Sequence, residues 1–91
     1  MNFERLPGGA LVRKGLEDLE AGRESDAAYL VLVGAPRLRR LGFAVPGAPP
    51  PWIEHRLYES LARTDPDAAH SRYNSLIRAL VSFERSVECA G

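Results

Sequence analysis

The last third of the 91-residue chain has an apolar pattern that a long helix can present on one face. Apolar side chains recur there at intervals alternating between four and three residues: Ala69, Tyr73, Leu76, Leu80, Phe83 and Val87. This heptad spacing predicts one continuous α-helix from Pro66 to about Cys89, roughly 36 Å long at about 1.5 Å per residue. A compact chain of this size has a diameter of only about 30 Å. We therefore expect the helix to overhang its own domain.

An overhanging helix would leave apolar side chains near its end open to solvent. An exposed apolar surface of that kind favours a protein partner, most simply a second copy of the same chain. The sequence thus predicts a homodimer whose interface includes four residues of the heptad pattern: Leu76, Leu80, Phe83 and Val87.

Sequence patterns in the first half of the chain predict two further main helices and one short helix. An amphipathic helix is expected from about Ala10 to Ala21, and Ser25 or Asp26 is suited to cap the next one. Residues 27–34 are apolar and rich in β-branched side chains, which would also suit a buried strand. A strand needs a partner, and only residues 43–45 are available, so we favour a helix. Pro36 can begin a short helix that runs to Leu41.

The second half begins with a proline-rich connector at residues 46–51, which we expect to be extended and to lie over the core. Trp52 and Ile53 then begin a third main helix. Asp65 and Pro66 predict the start of the last helix, with aspartate as the N-cap and proline in the first position. The sequence therefore predicts an all-α fold, a single bundle of four main helices plus one short helix.

Charge and cysteine content disfavour several classes of function. Twelve basic and twelve acidic side chains cancel, so no overall field attracts nucleic acid or an anionic membrane. The single cysteine allows neither an internal disulfide nor a cysteine-based metal site. No signal peptide and no membrane span is predicted, so we expect a cytoplasmic protein without a cofactor.

Three arginines form a small basic cluster that could contact phosphate groups: Arg37, Arg39 and Arg40. Three cations give only a small electrostatic footprint. A solvated helix face, or pairing with the acidic residues at 17–26, is the interpretation that we favour for them.

One nine-residue motif occurs twice, fifteen residues apart, and contains both histidines of the chain. His55 and His70 each begin a copy of His-x-x-Tyr-x-Ser-Leu-x-Arg. In an antiparallel hairpin that turns near Asp65, the two histidines would lie about two helical turns apart. They could not share one metal ion or one phosphate group, and the leucines of the motif fit the core.

A pairing between the two copies is geometrically simpler. Arg63, at the base of the hairpin, would come within reach of His70, with Tyr73 one turn further along. The spacing from Arg63 to His70 resembles that of the HEPN ribonucleases, small helical proteins, over eight residues. That resemblance implies RNA cleavage, in which histidine acts on the 2′-hydroxyl group and arginine stabilises phosphorane charge.

The sequence holds no complete set of nucleophile, base and orienting residue, so a non-enzymatic role is favoured. We expect a small interaction module that self-associates through its C-terminal helix. The alternative is a protein that binds or cleaves RNA through Arg63, His70 and Tyr73, helped by the three arginines at 37–40.

Overall fold

The computed structural model describes residues 3–90. A 3₁₀ turn at Phe3–Arg5 precedes five helices: α1 (Gly9–Glu20), α2 (Asp26–Val33), α3 (Ala35–Arg40), α4 (Ile53–Thr64) and α5 (Ala69–Ala90). No strand occurs within residues 3–90. The all-α prediction, with four main helices and one short helix, is confirmed. None of the helices in this range is both long enough and apolar enough to cross a bilayer.

Helix α2 lies at the centre of the bundle and contacts each of the four other helices. It is apolar nearly all round, and five of its residues are buried: Ala27, Ala28, Leu30, Val31 and Leu32. At its start, the Ser25 hydroxyl accepts a hydrogen bond of 3.0 Å from the Ala28 N–H. A cap followed by a run that is apolar on every side is typical of a buried helix. The helix prediction for residues 27–34 is therefore confirmed over the strand alternative.

Helix α1 packs against α2 through a glycine. A Cβ atom placed on Gly15 would overlap the Ala27 carbonyl oxygen and a methyl group of Val31. The absence of a side chain at Gly15 thus allows the two helix backbones to approach closely. This contact is the most extensive between any two elements of the described chain.

The predicted start of the last helix at Pro66 is wrong. Residues 66–68 form a turn, and α5 begins at Ala69. Asp65 is held extended, with φ at −151° and ψ at 93°, as is usual for a residue that precedes proline. Its carboxylate still accepts a 3.3 Å hydrogen bond from the Ala68 N–H. The aspartate therefore caps the turn rather than the first turn of the helix.

The predicted exposure of the apolar end of α5 is also wrong. Phe83 is fully buried, and Leu80 and Val87 are nearly so. The Phe83 ring packs against Phe3 and Phe43, with ring centroids 5.7 and 5.5 Å away. The N-terminal turn and the segment after α3 thus cover the helix end. Because the molecule is elongated, at 38 × 24 × 19 Å, a helix of about 33 Å fits along its length.

Candidate functional site

The Arg63, His70 and Tyr73 side chains occupy different surroundings. Arg63 lines a cleft between α2 and α4 that includes neither His70 nor Tyr73. His70 is exposed on α5, where its Nε2 atom lies 3.3 Å from the side-chain amide nitrogen of Asn74. Tyr73 instead packs its ring against Tyr58, at 5.8 Å between centroids. The contacts described in the structure therefore join none of the three residues to another.

The doubled motif does not form one site. In the first copy, His55 Nε2 lies 2.7 Å from a carboxylate oxygen of Glu59 on the same helix. The Ser60 hydroxyl donates a 2.6 Å hydrogen bond to Asp26 of α2, so it points away from α5. The contact between Tyr58 and Tyr73 does link the two copies, as expected of an antiparallel pair of helices.

The pKa of Tyr73 is raised, chiefly because the phenol is partly buried and secondly because of the negative charge of Glu54. Both effects disfavour the phenolate. Tyr73 thus stays protonated at neutral pH, where it can donate a hydrogen bond but is poorly suited to accept a proton.

Two of the three clustered arginines form hydrogen bonds within the protein, but their partners are not the acidic residues at 17–26. Arg37 donates a 2.6 Å hydrogen bond to Glu88 of α5. Arg39 donates to the backbone carbonyl oxygens of Val45 and Gly47 and so fastens the connector. Of the two interpretations favoured for this cluster, pairing with the acidic residues at 17–26 is wrong for Arg37 and Arg39, because their partners are Glu88 and the connector. Arg39 and Arg40 do lie exposed on the helix, as the solvated-face interpretation predicts.

Glu84 lies beneath this arginine cluster and is only 4% exposed. Its Oε1 atom lies 3.9 Å from Nη1 of Arg37, which is long for an ion pair. Burial raises the pKa of Glu84, and Arg37 offsets this only in part. The pKa of Arg37 is in turn raised mainly by its hydrogen bond to Glu88.

Trp52 is the most exposed large apolar side chain of the described residues, at 81% of its full area. It stands just before α4 in the left-handed backbone region, with φ at 64°, and is the only non-glycine residue of the described chain with a positive φ. The prediction that Trp52 and Ile53 begin the third main helix is confirmed for Ile53, whereas Trp52 is the residue just before the helix. Its helical neighbours at the third and fourth positions, His55 and Arg56, are polar, which was the sequence signal for an outward position.

The residues that follow Trp52 in the chain form a surface with it. It lines a shallow depression with Ile53, Glu54 and His55. Glu54 is close enough to Tyr73 to raise its pKa, and Tyr73 packs on the partly exposed Tyr58. Glu54 thus connects Trp52 on one side with Tyr73 on the other, and we refer to Trp52, Glu54, Tyr58 and Tyr73 together as the aromatic surface.

A second concave region lies on the α2 side of α4, and sequence analysis did not anticipate it. It consists of two adjoining cavities, of about 210 and 330 Å³, which we call the α2–α4 cleft. Three residues line both cavities: Glu24, Tyr29 and Arg56. They come from the loop after α1, from α2 and from α4, so no local sequence pattern brings them together.

Among the described residues, no group of three histidine, cysteine, aspartate or glutamate side chains is arranged to hold a metal ion. Comparison with known proteins finds no matching family model, no matching curated protein and no matching solved structure. A functional assignment therefore depends on the geometry of these surfaces.

Proposed function

We propose that this protein is a small interaction module that self-associates through the aromatic surface. The observation that supports this proposal is the outward position of Trp52. An exposed tryptophan contributes nothing to the core, yet its backbone conformation is one that bulky residues rarely adopt. Local strain of this kind costs about 1–3 kcal/mol and is found preferentially at functional positions.

Burial of the indole in an interface would make a large favourable contribution to the free energy of association. An aromatic side chain covers about 150–250 Å², which corresponds to about 4–6 kcal/mol at about 25 cal/mol per Å². Tryptophan and tyrosine are the residue types most enriched among the few that dominate binding energy in protein interfaces. The aromatic surface combines Trp52 with Tyr58 and Tyr73.

A second copy of the chain is the partner that we propose. Two copies do not repel each other through net charge, because the formal net charge is zero. In a two-fold symmetric dimer both copies use the same surface patch, so the aromatic side chains of one copy could cover those of the other. Helix α5 would contribute through Tyr73 and through Leu76, which is half-buried and lines an open depression.

Sedimentation equilibrium at tens of micromolar tests this proposal. We expect a dimer for the native chain and a monomer for Trp52→Gly. Glycine also removes the backbone strain, so the variant should be no less stable than the native monomer, which separates loss of association from loss of folding. Glu20→Ala, at an exposed position on α1, is the matched control and should remain dimeric. A native chain that is strictly monomeric at these concentrations would contradict the proposal.

A further inference from the structure

The α2–α4 cleft places opposite charges together without pairing them. Glu24 and Arg56 line both of its cavities, yet they form no ion pair with each other or with any other described side chain. Arg63 lines the second cavity and is likewise unpaired. The carboxylate of Glu59 also lines the second cavity, but it is engaged with His55. The cleft thus presents one free carboxylate and two free guanidinium groups around a common space.

The first cavity also has an apolar part, and the one further charged residue that lines it, Arg23, is paired with Asp18. Leu19 of α1, Ala28 and Leu32 of α2, and Pro50 of the connector line it. Its volume of about 210 Å³ is enough for one apolar side chain, whereas most sites for larger ligands have volumes of about 300–1,000 Å³. Tyr29 stands between the apolar and charged parts and lines both cavities.

We propose that the α2–α4 cleft binds a free apolar amino acid. Arg56 and Arg63 receive the α-carboxylate, since guanidinium groups bind planar carboxylates through paired hydrogen bonds. Glu24 accepts hydrogen bonds from the α-ammonium group, and the apolar side chain enters the cavity lined by Leu19, Leu32 and Pro50. This site is separate from the aromatic surface and does not depend on self-association.

The charge pattern favours a zwitterion over a simple anion. A ligand with a carboxylate alone would meet the negative charge of Glu24 at the junction of the two cavities, and that repulsion would oppose binding. A ligand with an ammonium group alone would meet Arg56 and Arg63 in the same way. A group that carries both charges leaves neither side of the cleft uncompensated.

Amide chemical-shift titration of the intact protein with L-phenylalanine tests this proposal. We expect saturable shifts at Glu24, Tyr29 and Arg56 in the low-millimolar range. N-acetyl-L-phenylalanine lacks the ammonium group, L-phenylalaninamide lacks the carboxylate, and glycine lacks the apolar side chain. Each should bind at least tenfold more weakly than L-phenylalanine.

Two variants with matched controls complete the test. Glu24→Gln and Arg56→Gln should each weaken L-phenylalanine binding at least tenfold, whereas Glu20→Gln and Arg72→Gln, at exposed positions outside the cleft, should leave it unchanged. All four side chains are exposed, so folding should be unaffected. The proposal is overturned if L-phenylalanine causes no shifts up to 10 mM, a concentration of about the order expected for weak binding. Equal binding of N-acetyl-L-phenylalanine would also overturn it, since the cleft would then recognise a carboxylate alone.

Discussion

At the scale of single residues, Asp18 is the most strongly held polar group of the described chain. It is 3% exposed and accepts hydrogen bonds from three side chains: Ser25 at 2.7 Å, Lys14 at 3.0 Å and Arg23 at 3.1 Å. These bonds lower its pKa to about 2, with Ser25 the largest cause and Lys14 the next. Ser25 also caps α2, so one serine connects the end of α1 to the start of the central helix.

The low pKa of Asp18 predicts a specific response to acid. The pKa is below its ordinary value of 3.8 in the folded state, so the unfolded chain binds the proton more readily. The stabilisation is complete above about pH 5 and is lost as the pH falls from about 4 towards 2. We expect Asp18→Asn to be clearly less stable than the native chain at pH 7, with the difference largely gone at pH 2.

Urea denaturation followed by circular dichroism, repeated between pH 7 and pH 2, measures that difference. Glu17→Gln is the matched control, because Glu17 is an exposed partner of Arg13 on the same helix and its ion pair should contribute little. Stability curves for Asp18→Asn and the native chain that run parallel over the whole range would contradict the prediction.

At the scale of elements, the sequence predicted the helices better than their surroundings. Local patterns located the central helix at 27–34 and narrowed its cap to Ser25 or Asp26, of which Ser25 is the cap, because periodicity and capping are properties of neighbouring residues. The start of α5 was placed three residues too early, since proline can begin a helix or follow an extended residue and sequence alone does not distinguish the two. The α2–α4 cleft was missed because its residues come from separate elements.

The contact between α1 and α2 predicts the effect of adding one methyl group. Gly15→Ala improves helix propensity by about 1 kcal/mol, but its Cβ would overlap a backbone carbonyl group that cannot move freely. Overpacking of this kind typically costs about 1–3 kcal/mol. The difference is a net loss of up to about 2 kcal/mol in the free energy of unfolding, which urea denaturation measures. Glu20→Ala, in the same helix, should change it by less than about 0.5 kcal/mol. A variant more stable than the native chain would show that the helices do not meet this closely.

At the scale of the whole molecule, three phenylalanine rings join distant parts of the chain. Phe3, Phe43 and Phe83 lie 5.2–5.7 Å from one another, which brings the N-terminal turn and the segment after α3 onto the end of α5. The heptad spacing correctly identified Phe83 as an apolar face residue. It could not show which part of the chain covers that face, because this depends on contacts across about 40–80 residues, for which helix periodicity carries no information.

Truncation of Phe83 distinguishes a buried helix end from an exposed one. Phe83→Ala should lower the free energy of unfolding by about 3–5 kcal/mol, because it opens a cavity in the core. Urea denaturation followed by circular dichroism measures the loss. If Phe83→Ala does not fold, the milder variant Phe83→Leu is measured in its place. Ser82→Ala, at the exposed neighbouring position, is the control and should have little effect. A loss below about 1 kcal/mol for Phe83→Ala would indicate that the ring is open to solvent.

The position of Trp52 also determines which events the intrinsic tryptophan fluorescence of this protein can detect. It is the sole indole of the chain, and in the folded monomer it is already surrounded largely by water. Unfolding therefore changes its environment little, so its fluorescence is a poor signal for denaturation. A molecule that covers the indole would shift the emission towards shorter wavelength while the helices stay intact. The native chain thus carries its own optical probe for any partner that binds beside α4.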